Sequence, residues 1–257
     1  MMMVKSASPK RSTAVLIMTA LLAYLHISAT GQTVATSSVS SEYLVVHRAK
    51  DFTITGDGSN PEWNNSDWTA LVKLDAPGSE YKTRFKVLYS SSGIYVLFHG
   101  IDNKITTHPD YQDFDPIFNA DVFEVFLHPD PAVMVYFEYE VNAMSKELIL
   151  AISNLNGKNH SSWIPSGKSK SGIRKMVSVE GGQQTAGATI MSWKAEIFLP
   201  FGALGLLPHV PPEPGSVWNA NFCRLDYDSG EMVKWSWSPD IKKSFHELDK
   251  FHSLKFE

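Results

Sequence analysis

Residues 119–131 read NADVFEVFLHPDP, and the alternation within them decides the fold. Phe123, Val125 and Leu127 interleave with Val122, Glu124 and Phe126, the period of two that belongs to a β-strand. Both faces of this strand are apolar except at Glu124. A carboxylate on a strand buried on both sides needs a partner, because an unpaired buried charge is costly. Glu124 therefore poses a choice between a salt bridge, a metal, a ligand and water.

The same period recurs outward from this strand. RFKVLYSSSGIYVLFHGID (84–102) reads as a hairpin turning at Ser-Ser-Gly, and VMVYFEYEVNAM (133–144), TIMSWKAEIFLPF (189–201), SVWNANFCRLDYD (216–228) and EMVKWSWSPD (231–240) read as further strands. KELILAI (146–152) is short enough to favour a strand. FGALGLLPHVPPEPG (201–215) offers one short helical turn before a proline-rich loop, and NLNGKNHSSWIPSGKSKSG (154–172) reads as a polar loop. Many strands and no long amphipathic helix predict an all-β fold, an antiparallel β-sandwich of immunoglobulin-like or jelly-roll type in a single domain.

The N-terminus has the pattern of a signal peptide. Lys5, Lys10 and Arg11 precede an apolar run at 14–25, and Ala29-Thr30-Gly31 supplies small residues for cleavage before Gln32. The run is shorter than the roughly 20 residues of a bilayer span. The expected organisation is a signal peptide at 1–31, a polar linker at 32–41 and a folded domain at 42–257, with no membrane span in the mature chain and a secreted, periplasmic or cell-surface location. The formal charge of the whole chain is −4, and removing the three N-terminal cations leaves −7. That acidic balance argues against nucleic acid as a partner. The single cysteine, Cys223, excludes an intramolecular disulfide, so the core alone must hold the domain.

No serine-nucleophile elbow, phosphate-binding loop or dinucleotide fingerprint occurs. Glu124, Glu138 and Glu140 are the strand-borne carboxylates that a glycoside hydrolase would draw on. On VYFEYEVN (135–142), Tyr136, Glu138, Glu140 and Asn142 share one face, which reads either as a ligand surface or as a face turned to water. The acids Asp102, Asp115 and Asp121 lie on or beside a long loop and form a candidate Ca²⁺ set, although the spacing is not that of an EF-hand. The scattered histidines lack zinc spacing. Trp163 in the polar loop and Trp235 and Trp237 in KWSWSP are candidates for stacking on a sugar ring, whose flat C–H face suits an aromatic platform ringed by a few polar groups.

Seven segments in order, ITGDGSNPEWNNSDWT, TRFKVLYSSSGIYVLFHGID, NADVFEVFLHPDP, YFEYEVNAM, SWKAEIFLPFGAL, PGSVWNANFCRLDY and WSWSPD…SFHELDKFHSLKF, resemble the carbohydrate-binding module family 9-like domains of secreted bacterial proteins. The resemblance runs from about Thr53 to Phe256. It implies a β-sandwich that binds poly- or oligosaccharide without cleaving it, in the service of carbohydrate use, often with structural Ca²⁺. By position it assigns Glu124 of the Asp121-x-x-Glu124 segment as the sugar-binding carboxylate. Phe118 stands where the family carries an aromatic platform, Asn221 and Arg224 supply amide and base, and Trp235 and Trp237 stack. On this reading Glu124 meets the sugar, with Glu138, Glu140 and Asn142 beside it and Arg224 balancing the charge. The same fold is resembled by extracytoplasmic haem-b domains; Met134, Met144 and His99 are the residues that such a role would use.

Overall fold

In the computed structural model the described residues are 43–74, 77–155, 158–163 and 171–257; side chains at 154–155 and 159–163 are left aside. The expected signal peptide and linker lie outside the described residues. Fourteen strands form one continuous hydrogen-bonded network. They are β1 (Leu44–Arg48), β2 (Thr69–Ala70), β3 (Val72–Lys73), β4 (Thr83–Tyr89), β5 (Gly93–Ile101), β6 (Val122–His128), β7 (Val135–Asn142), β8 (Glu147–Leu155), β9 (Lys158–Trp163), β10 (Arg174–Glu180), β11 (Ser192–Pro200), β12 (Val217–Asp226), β13 (Val233–Ser236) and β14 (His252–Phe256). The strand order is β10-β11-β5-β4-β1-β14-β12-β6-β7-β8-β9, with β13 paired to β12 and β3, and β2 paired to β4. Among the described residues the only helical pieces are four short 3-10 turns, and no helix is long and apolar enough to cross a membrane. All of this lies within the compact unit Ser41–Glu257.

The expected all-antiparallel pairing is corrected at β1. Leu44–Val46 run parallel to β14 and His47–Arg48 run parallel to β4, so β1 joins the two halves of the network and makes the sheet mixed. Part of the expected polar loop is likewise strand, since Lys158–Trp163 pairs with β8 as a hairpin.

The sheet curls so that the face of β4, β5 and β11 meets the face of β6, β7 and β12 across the main core. Phe98 stacks on Phe123 at 4.7 Å, Phe85 on Phe222 at 4.0 Å and Phe123 on Trp193 at 3.8 Å. Strand alternation then splits β6 between two environments. Phe123, Val125 and Leu127 enter the main core, while Val122 and Phe126 join a second cluster on the outer face with Tyr136, Leu148, Ile152, Cys223 and Leu225. A segment between β13 and β14 covers that outer face with Ile241, Phe245 and Phe251, and Ile117 covers it from the turn before β6. Two buried faces explain why β6 is apolar on both sides. They also place Glu124 in an enclosed site.

Candidate functional site

Cross-strand register determines what Glu124 faces. Directly opposite residues of an antiparallel pair project to the same side, with Cβ atoms about 4.5–5.5 Å apart. Glu124 stands opposite Glu140 of β7 and Cys223 of β12, and Glu138 lies two residues along the same face of β7, opposite Phe126. Three glutamates thus converge beneath the covering segment, with 3%, 4% and 1% exposure for Glu124, Glu138 and Glu140. The reading of the 136–142 row as a face turned to water is overturned, because Tyr136, Glu138, Glu140 and Asn142 are all buried.

The glutamates border a cavity of about 340 Å³, in the size range of small-molecule sites. Its apolar wall includes Phe118, Phe245, Leu150, Ile152 and Met232, and its rim carries Lys234, Lys243 and His246. Phe118 sits on the 3-10 turn Ile117–Asn119, where the Tyr227 hydroxyl donates to the Phe118 carbonyl at 2.8 Å, and the residue is 40% exposed.

Burial raises all three carboxyls. Glu138 is pushed up to about 7, chiefly by burial. Glu124 and Glu140 are raised well above the usual range, first by burial and then by their acidic neighbours. Glu138 and Glu140 stand two residues apart on the same face of β7. Oε2 of Glu138 and Oε2 of Glu140 are buried with no hydrogen-bond partner among the described residues. His246 Nδ1 comes within 3.9 Å of Glu138 Oε2, too far for a hydrogen bond, and burial lowers the His246 pKa. The His246 ring Nδ1 shares a hydrogen bond with the Tyr136 hydroxyl at 2.8 Å. The cavity therefore offers carboxyls whose protonated form burial favours, two of them with an unpartnered oxygen, beside an apolar wall.

Arg224 is elsewhere. It stands opposite Phe123, one residue out of phase with Glu124, and so projects into the main-core side. The expected Glu124–Arg224 pair does not form. Arg224 is fully buried and donates to Thr83 Oγ1 at 3.1 Å, the Ile101 carbonyl at 2.7 Å, Asp102 at 2.9 Å and Asp226 at 2.7 Å. Gly100 makes the room: a Cβ there would lie 2.7 Å from Arg224 Nη1 and 3.0 Å from Phe123. Asp102 and Asp121 meet Asp226 and Asp228 in this second cluster, one oxygen of each lying within 4.8 Å of the others. Asp115 is not among them; it accepts from the Gln112 N–H on the loop. Burial raises Asp102 to about 7 and Asp121 to about 9. An all-carboxylate donor set suits a hard cation such as Ca²⁺. Arg224 already holds one oxygen each of Asp102 and Asp226.

The remaining candidates serve the framework. Asn221 exchanges hydrogen bonds with Ser236 and accepts from the Ser238 N–H, and Asn142 accepts from the Met144 and Lys146 N–H groups of its turn. Trp235 is 1% exposed, 6.5 Å from Tyr81 and under the Arg224 guanidinium. Trp237 packs against Phe85, Phe222 and His252. The Trp163 side chain lies outside the described residues. Of the haem candidates, His99 is engaged by Arg84 and Met134 is 46% exposed before β7, while Met144 packs against the main core. Phe245, His246 and Lys243 were not legible as site residues, because only the chain's return after β13 brings them there; Lys234 arrives on β13 itself, through its pairing with Leu225 of β12.

No family model matches the sequence, and no curated protein does. Solved structures do share the fold. A Bacteroides uniformis protein provisionally described as carbohydrate-binding is 17% identical over 84% of this chain and 99% of its own, with a TM-score of 0.68. A carbohydrate-binding module of family 9 from Caldicellulosiruptor kristjanssonii, solved with cellotriose, is 14% identical over 83% of this chain and 93% of its own, with a TM-score of 0.57. A family 9 module from the same organism, solved with glucose, is 13% identical over 83% and 95%, with a TM-score of 0.55. The chain has a family 9-like fold.

Proposed function

We propose that this protein binds the end of an oligosaccharide in the glutamate cavity, without cleaving it, as an exported module of sandwich-like architecture. The observation that carries this reading is the pair of orphan carboxyl oxygens, on Glu138 and Glu140, in a cavity walled by Phe118 and Phe245. Sugar hydroxyls are both donors and acceptors, so they match a mixture of protonated carboxyls and unpaired oxygens, while the ring's C–H face lies on the aromatic wall. Glu124, Glu138 and Glu140 would hold the hydroxyls, and Phe118 would provide the platform. The shared fold with modules solved with cellotriose and glucose supports the same reading. Calorimetric titration of the purified protein with neutral and charged oligosaccharides tests it. A saturable heat with at least one saccharide is expected, and no heat with any of them would refute it.

The aspartate cluster supports a separate structural role for Ca²⁺. Asp102, Asp121, Asp226 and Asp228 would hold it, and the ion would favour the ionised carboxylates that burial disfavours. Added Ca²⁺ should raise the melting temperature and a chelator should lower it; a melting temperature indifferent to both would remove the ion from the account.

A further inference from the structure

The glutamate cavity is not closed at the lysine end. Met232, Lys234 and Lys243, which border it, also border a neighbouring cavity of about 370 Å³. The lining of this second cavity contains Lys73, Lys234, Lys242 and Lys243 and no carboxylate. Of these four, Lys73 is already ion-paired, which leaves Lys234, Lys242 and Lys243 without an acidic side-chain partner in the wall. Glu80 pairs with Lys73, and Glu247 Oε1 accepts the backbone N–H groups of Lys242, Lys243 and Ser244. Asp240, between Pro239 and Ile241 in sequence, is not part of the wall. Lys234 ties the two cavities together: it projects from the outer face of β13 and donates to the Lys243 carbonyl at 3.2 Å. Val72, Leu74, Met232 and Ile241 give the second cavity an apolar floor between its cations.

From this juxtaposition we infer that the ligand is an acidic oligosaccharide, whose neutral terminal unit enters the glutamate cavity while an anionic substituent on the adjoining unit meets Lys234, Lys242 and Lys243. The inference rests on the saccharide reading of the glutamate cavity and adds the ligand's charge to it. A chain that carries net negative charge would repel an acidic polymer at long range, so a local concentration of lysines beside the sugar cavity supplies what such a ligand needs. A carboxylate of a uronate and a sulfate ester present the same anionic oxygens, and lysine ammonium groups accept both geometries.

The test compares three trisaccharides by calorimetry: neutral cellotriose, a trisaccharide with one uronate on the unit next to its end, and one with a single sulfate there. The expected result is binding of an anionic trisaccharide about tenfold tighter than cellotriose at low salt, a preference that shrinks as salt is raised. The double variant Lys242→Gln/Lys243→Gln, monitored by thermal melting to confirm folding, should bring the anionic-to-neutral affinity ratio down toward one. The arm that binds tighter identifies uronate or sulfate as the source of the charge. Equal affinities for neutral and anionic trisaccharides, in the wild type and in the variant, would overturn this inference and leave the saccharide site standing. Binding of none of the three or of any other saccharide would overturn both.

Discussion

Two buried carboxyl clusters lie on opposite sides of the β6–β7–β12 ladder, and they are built on opposite principles. In the aspartate cluster every carboxylate oxygen accepts a hydrogen bond. Asp102 receives Lys104 N–H, Trp193 Nε1–H and Arg224; Asp121 receives Thr106 and Tyr227 N–H; Asp226 receives Asp228 N–H and Arg224; Asp228 receives the Thr106 and Tyr81 hydroxyls. In the glutamate cluster Oε2 of Glu138 and of Glu140 receives nothing, and a cavity stands in front of them. Both sets are desolvated, so burial alone does not distinguish structure from function. What distinguishes them is whether each carboxyl oxygen already has a hydrogen-bond partner in the protein; a Ca²⁺ at the aspartates would use only their remaining lone pairs. Buried polar groups are nearly always paired within the fold, and orphans that face a cavity mark where a partner from outside belongs.

The comparison breaks first, and hardest, at Arg224. Arg224→Met removes the guanidinium and strands two buried aspartates, so stability should fall by about 3–5 kcal/mol, the cost typical of breaking a buried ion pair by removing one partner. A chemical melt that shows little change would mean that the aspartates do not depend on Arg224. The glutamates predict an opposite and smaller response, visible in pH. Glu138 rises from 4.5 to about 7 on folding, chiefly by burial, so the folded state binds more protons across that window. Its contribution to stability is complete below about pH 4.5 and is lost as pH rises through about 7, by about 1–3 kcal/mol at roughly 1.4 kcal/mol per pKa unit. Glu138→Gln should flatten the melting temperature between pH 5 and pH 7 by about that amount. An unchanged slope would show that the cavity carboxyls titrate normally.

How much of this was readable from the chain follows from how far apart the cooperating residues are. The strands themselves were legible, because alternation is local: Phe85 to Tyr89, Phe123 to Leu127 and Phe137 to Val141 each declare a core face. Glu124, Glu138, Glu140 and Phe118 were nominated from sequence, and the structure brings these four to one cavity. The partner of Glu124 was not readable. A shift of one residue in the register of β6 against β12 exchanges Cys223 for Arg224 beneath Glu124, and nothing local specifies that register. The burial of the Tyr136–Asn142 row was hidden for a related reason, since the side chains that cover it, Ile241, Phe245 and Phe251, lie about a hundred residues later in a segment without strand periodicity. The parallel docking of β1 between β4 and β14 is equally non-local. Asn142 and Asn221 read as ligand groups by type, yet their side chains close a turn and a strand-edge network.

The most direct measurement is a calorimetric titration of the wild type and of Glu124→Gln with whichever oligosaccharide the wild type binds, beside thermal melts of both proteins at pH 7. The account predicts at least about a tenfold loss of affinity in Glu124→Gln, equivalent to about 1.4 kcal/mol. Its melting temperature should be unchanged or higher, because the amide removes an acid whose ionised form burial disfavours. Full affinity in the variant, or a steep fall in its melting temperature, would contradict the assignment of the glutamate cavity as the ligand site.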